Sequence, residues 1–117
     1  MEKINVIQYD KAIRDKIPEI IEASGNKATV EIVDQVTFIK YLDAKLGEEL
    51  KEYLEDGNVE ELADLVETVY AILACKGVSM EKFEKIRFAK AEKRGGFVKR
   101  LVLKEVRNTA LTFNEVK

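Results

Sequence analysis

The sequence predicts a mainly α protein: an antiparallel helical bundle of three long helices and a short N-terminal one, with a small two-stranded β element. Three observations carry this reading. Helix-favouring, periodic segments fill most of residues 35–94. The breaks between them fall at Asp56-Gly57-Asn58, Gly77 and Gly95-Gly96, where helices stop. Only two short stretches alternate as strands do.

The short helix starts near Lys16, because Pro18 is tolerated in a first turn, and stops at Gly25-Asn26. Residues 28–33, ATVEIV, and 97–106, FVKRLVLKEV, are rich in β-branched side chains and form the expected strand pair. The first long helix runs from about Gln35 to Leu54 with Asp34 as its cap. The second follows Asn58 and continues to Lys76. The third is capped by Ser79 and reaches about Arg94. From Arg107 onward polarity is mixed, and no element is assigned.

At 117 residues the chain is the size of one domain, spanning 1–117. Its 46% hydrophobic and 36% charged residues describe a globular chain. With 20 basic residues against 22 acidic ones, a general nucleic-acid binder is not expected. Any phosphate recognition must be local. The chain has no histidine, and Cys75 has no cysteine partner, so zinc, thiol and Ser-His chemistry are disfavoured. No apolar run is long enough for a signal peptide or a bilayer span, so a cytoplasmic protein without membrane contact is expected.

The acids carry the functional signal. At 100° per residue, with Phe38 at zero, Leu42, Tyr53, Leu46, Ile39 and Leu50 fall within an arc of about 120°. Glu49 lies inside that arc, Glu52 at its edge and Glu48 further toward the polar side. An unpaired carboxylate at the position of Glu49 needs a partner. Glu48 alone also reads as a surface residue.

The second helix is apolar nearly all round, the mark of a buried bundle helix. Its remaining sector holds Glu61, Asp64 and the small residues Thr68, Ala71 and Cys75, which leave room beside the carboxylates. Glu61 also fits a capping box with Asn58, whereas Asp64 is a poor helix former placed inside a helix. From Glu52 through Cys75 no lysine or arginine offsets seven acids, unlike an ordinary surface helix. In an antiparallel hairpin, Glu49-x-x-Glu52 and Glu61-x-x-Asp64 oppose each other near the hinge. That makes an oxygen-only site suited to Mg²⁺ or Mn²⁺. Gly47, a glycine inside a helix, reads either as a place of close approach or as drift.

A carboxylate-held Mg²⁺ keeps positions for substrate phosphates, which want cations. Lys90, Lys93 and Arg94, followed by Gly95-Gly96, supply one basic cluster, and Arg14 and Lys16 a smaller one. Basic residues near a helix C-terminus equally serve as dipole complements.

Glu49-x-x-Glu52 followed by Glu61-x-x-Asp64 resembles the paired motif of the MazG-like all-α nucleoside triphosphate pyrophosphatases. KLGEELKE followed by EELADLVETVYAIL is similar to phosphoribosyl-ATP pyrophosphohydrolases of histidine biosynthesis. The segments YDKAIRDKIPEIIE and KAEKRGGFVKRLVL resemble small MazG-like proteins. The resemblance implies that Glu49, Glu52, Glu61 and Asp64 coordinate Mg²⁺. It also implies cleavage between the α and β phosphates, release of NMP and pyrophosphate, and a homodimer or homotetramer. Only eight residues separate Glu52 from Glu61, short for MazG proper, and Arg14-Asp15-Lys16 is not typical of the histidine enzyme.

The leading expectation is therefore a Mg²⁺-dependent nucleotide pyrophosphohydrolase that clears unwanted nucleotides. Glu48 is the candidate general base, and Lys90, Lys93, Arg94, Arg14 and Lys16 are the candidate phosphate ligands. One alternative is a phosphoribosyl-ATP pyrophosphohydrolase of histidine synthesis; another is a non-catalytic helical interaction module.

Overall fold

A computed structural model describes residues 4–107 and 116–117 of the chain. Its helices are α1 (Ile17–Ala23), α2 (Gln35–Asp56), α3 (Val59–Cys75) and α4 (Met80–Arg94). Two compact units are present, Met1–Glu84 and Lys85–Lys117, and α4 runs across the boundary in sequence. Most of the unassigned tail, residues 108–115, lies outside the described residues.

The helix ends follow local chemistry. Arg14 C=O accepts from Ile17 N–H at 3.1 Å, turning the chain into α1, which carries proline in its first turn. Asp34 sits in extended backbone, and its carboxylate accepts from Thr37 N–H at 2.7 Å, a standard N-cap. Gly57 closes α2 with φ 71°, and its N–H donates to Tyr53 C=O. A left-handed conformation of this kind is open to glycine without a Cβ clash. Ser79 Oγ accepts from Lys82 N–H at 3.1 Å and starts α4. Asn58 departs from expectation: it precedes α3 in extended backbone but makes no side-chain cap bond.

In the first unit α2 and α3 pack along each other as a hairpin. Leu42 on α2 is 3% exposed, and Ala12, from the segment before α1, is also buried. The core is small, with no large side chain fully buried among the described residues. α3 is not enclosed on all sides, contrary to its nearly all-round apolar surface. Val59, Leu62, Val66 and Tyr70, spaced along one stripe, remain exposed. The reason is geometric: α2 covers one face of α3, and no further helix lying wholly within the first unit packs on the other.

The expected two-stranded β element is absent from the described residues. In 28–33, Ile32 is 98% exposed, and in 97–106, Phe97 is 96% exposed. β-Branched residues favour a strand when one face is buried and the backbone is paired. Neither condition is met, so both segments are irregular. In the second unit, Gly95 (φ 83°) follows α4, and a turn closes where Arg100 N–H donates to Phe97 C=O at 3.2 Å. Among the described residues no helix is long and apolar enough to cross a membrane.

Candidate metal centre

The two-residue break at Gly57-Asn58 reverses the chain tightly, so the C-terminal turns of α2 face the first turns of α3. Glu49 follows buried Leu42 by seven positions and so rises from the same helix face. It is only 5% exposed. From α3, Glu61 and Asp64 project from adjacent turns toward it. One carboxylate oxygen from each of Glu49, Glu61 and Asp64 lies within 4.8 Å of the other two.

These acids are incompletely satisfied. Glu49 Oε1 is 3.3 Å from Lys45 Nζ, one turn back on α2, while Glu49 Oε2 is buried without a hydrogen-bond partner. Glu61 Oε2 is likewise buried and unpartnered. Buried, unpaired carboxylate oxygens are costly and need explanation. Burial pushes the Glu61 carboxyl above the ordinary glutamate range. A hydrogen bond shared with Glu52, and the charges of Glu52, Asp64 and Asp56, raise it further. Glu52 thus stands beside Glu61, at the margin of the group formed by Glu49, Glu61 and Asp64. The carboxyl of Glu61 is turned to its acidic neighbours, so the capping-box alternative for this residue is not the arrangement formed.

The missing counterions of the sequence are supplied from elsewhere. Arg14 Nη2 donates to Asp64 Oδ1 at 2.7 Å, and Lys11 Nζ donates to Glu48 Oε1 at 2.9 Å. Glu48 holds the Lys11 ammonium above the usual lysine range, with Glu52 adding a smaller pull. Three cations, Lys11, Arg14 and Lys45, therefore border five carboxylates, Glu48, Glu49, Glu52, Glu61 and Asp64. Negative charge remains in excess.

The residues predicted to form the site separate into groups. Glu49, Glu61 and Asp64 converge, Glu52 adjoins Glu61, and Glu48 stands at the edge on Lys11. Arg14 reaches a carboxylate of the cluster. Lys16 is exposed at the N-cap of α1. Lys90, Lys93 and Arg94 lie on the exposed last turns of α4 and belong to the second unit, where Lys93 and Arg94 complement the helix dipole. Gly47 is open, since an added Cβ would meet nothing within 4 Å. The close approach that glycine suggests is not found among the described residues.

Lys11 and Lys45 were not expected at the site. Lys45 precedes Glu49 by four positions on a helix, a spacing at which the two side chains meet. Lys11 pairs across 37 positions of sequence, and no local pattern announces such a contact. The same holds for Asp10, whose carboxylate accepts from Tyr41 OH at 2.8 Å. Asp10 has φ 60°, in the left-handed region that aspartate tolerates better than most residues.

The donor set fits a hard divalent cation. It is all oxygen, it contains two orphaned buried carboxylate oxygens, and it has no imidazole or thiolate. Two oxygens on opposite sides of a Mg²⁺ stand about 4.2 Å apart. Three oxygens within 4.8 Å of one another are near enough to be drawn onto one such ion. Compared with models of known protein families, with curated proteins and with solved structures, the chain finds no match.

Proposed function

We propose that the α2–α3 hairpin holds Mg²⁺, with Mn²⁺ as a substitute, and that the protein is a metal-dependent nucleotide pyrophosphohydrolase of the MazG-like type. The observation that carries this reading is the convergence of Glu49, Glu61 and Asp64 with two of their oxygens buried and unpartnered. A solvated acidic face would leave its oxygens to water. Here burial has a cost that a bound cation offsets.

Glu49, Glu61 and Asp64 would hold the cation, with Glu52 completing the set from its place beside Glu61. The cation supplies neutralisation of a polyphosphate and electrophilic assistance at phosphorus. Glu48, next to the ligands in sequence, is the residue to accept a proton from the attacking water. Lys11 donates to Glu48 Oε1, and the second carboxylate oxygen of Glu48 would be the one to take that proton. Arg14 stands where it can meet negative charge on the substrate, with Lys16 two residues further on. Attack at the α phosphorus breaks its bond to the bridging oxygen, so NMP and pyrophosphate leave. The oxygen-only site and the paired acids support the reaction class, and the choice of nucleotide rests on the sequence resemblance.

A second copy of the chain belongs to the same proposal. Val59, Leu62, Val66 and Tyr70 form an open apolar stripe on α3. An isologous helical interface over this stripe would give the homodimer that the small core of one chain calls for.

Replacement of Glu49 or Asp64 by alanine tests the reaction. Either variant is expected to lose Mg²⁺-dependent pyrophosphate release across a panel of NTPs, dNTPs and phosphoribosyl-ATP, while its helical circular dichroism is kept. Full turnover in either variant would sink the assignment.

A further inference from the structure

The segment before α1 crosses the hairpin at three side-chain contacts. Asp10 accepts from Tyr41, Lys11 donates to Glu48 and Arg14 donates to Asp64. Ala12, between the two cations, is buried. The backbone is thus anchored, while the Lys11 and Arg14 side chains are 40% and 52% exposed and have room to reorient.

Arg14 lies on Asp64 Oδ1, a carboxylate of the cation cluster. The guanidinium and a divalent cation would repel at that distance, so the two compete for Asp64. A released guanidinium has a natural destination. Its planar fork matches phosphate oxygens in bidentate fashion, and a polyphosphate bound to the cation would bring such oxygens to the same place. Lys11 stands in the same relation to Glu48 and Glu52.

We propose that Lys11 and Arg14 are exchange cations: they neutralise Glu48 and Asp64 in the empty site and transfer to substrate phosphate oxygens when a divalent cation takes the carboxylates. This rests on the metal–nucleotide reading above and adds to it a role for the N-terminal segment. The exchange makes metal and polyphosphate binding mutually reinforcing, since each removes a competitor of the other. It also gives Arg14 effects of opposite sign on the two ligands. A residue that merely holds the fold together would weaken both.

The test uses the full chain and two probes, Mn²⁺ alone and inorganic tripolyphosphate at saturating Mg²⁺. Binding of Mn²⁺ is read from the loss of its free electron paramagnetic resonance signal, and binding of tripolyphosphate by calorimetry. Arg14→Gln is expected to bind Mn²⁺ at least about threefold more tightly than the wild type and tripolyphosphate at least about tenfold more weakly. Lys11→Gln should shift both in the same directions. Arg14→Lys, which keeps the charge, should restore wild-type Mn²⁺ affinity and guard against a folding defect. Lys27→Gln, an exposed lysine of the loop after α1, serves as the control and should change neither. Unchanged or weaker Mn²⁺ binding in Arg14→Gln overturns the exchange while leaving the metal site standing. Tighter Mn²⁺ binding with unaltered tripolyphosphate affinity overturns the phosphate half. If the wild type binds no Mn²⁺, the metal reading falls and the exchange with it.

Discussion

Arg14 Nη2 meets Asp64 Oδ1 at 2.7 Å, across 50 positions of sequence. Both side chains are partly exposed, and an ion pair of that kind adds at most about 1 kcal/mol to stability. Its significance lies in where it is. Asp64 also belongs to the trio of converging carboxylates, so the N-terminal segment reports directly on the charge state of the hairpin. Four further outcomes follow from the geometry of that hairpin and its surroundings.

The first concerns like charge. Glu61 faces Glu52 and Asp64 with one oxygen buried and unpartnered. Glu61→Gln is expected to raise the melting temperature of the metal-free protein near neutral pH and to abolish the further rise with Mg²⁺ that the proposed metal site predicts for the wild type. Thermal melts with and without saturating Mg²⁺ read both effects. A metal-free variant that melts below the wild type would count against the arrangement.

The second concerns pH. Asp34 accepts from Thr37 N–H, which holds its carboxyl below the ordinary aspartate value of 3.8 in the folded chain. A lowered folded value means that the unfolded chain takes up its proton first as pH falls. The stabilisation by the charged cap is therefore present above 3.8 and lost as pH drops through the lower folded value. Asp34→Asn keeps a capping oxygen but cannot titrate. It should melt below the wild type at about pH 6 and converge with it as pH falls through the lowered folded value.

The third sets two glycines against each other. Gly57 has φ 71°, so Gly57→Ala imposes backbone strain of about 1 kcal/mol even though its Cβ would meet nothing. Gly47 is inside α2 and equally open, so Gly47→Ala should stabilise by about 0.5–1 kcal/mol. Urea unfolding monitored at the helical band gives both signs in one experiment.

The fourth concerns the open stripe of α3. Val66→Glu places a charge in the middle of the proposed dimer surface, where it would be desolvated without a partner. The wild type is expected to sediment as a dimer or larger species and the variant as a monomer at the same concentration. Identical sedimentation would move the interface elsewhere.

Much of this hairpin could be read from local chemistry. Asp34 and Ser79 mark helix starts and Gly57 a helix stop because each solves a problem confined to one turn of backbone. Glu49 could be placed at a buried position because helical projection needs only its neighbours on α2. The strands failed for the opposite reason: alternation in 28–33 and 97–106 expresses a fit to a half-buried, paired surface, and pairing is not a local property. The enclosure of α3 failed similarly, since an apolar circumference shows that something must cover the helix and not which chain does so. Lys11 stayed hidden because its contact spans distant positions, and the absence of cations between Glu52 and Cys75 drew attention to a gap that Lys11, Arg14 and Lys45 fill from outside.

The tight turn at Gly57-Asn58 has one more consequence. The hinge is a phase setting between two screws. Each residue inserted there would rotate α3 by about 100° about its axis relative to α2. A single insertion would therefore carry Glu61 and Asp64 off the face that meets Glu49, with every carboxylate still present in the sequence. Loop length is as much an ingredient of the proposed cation site as the acids themselves, and it can be varied without touching any of them.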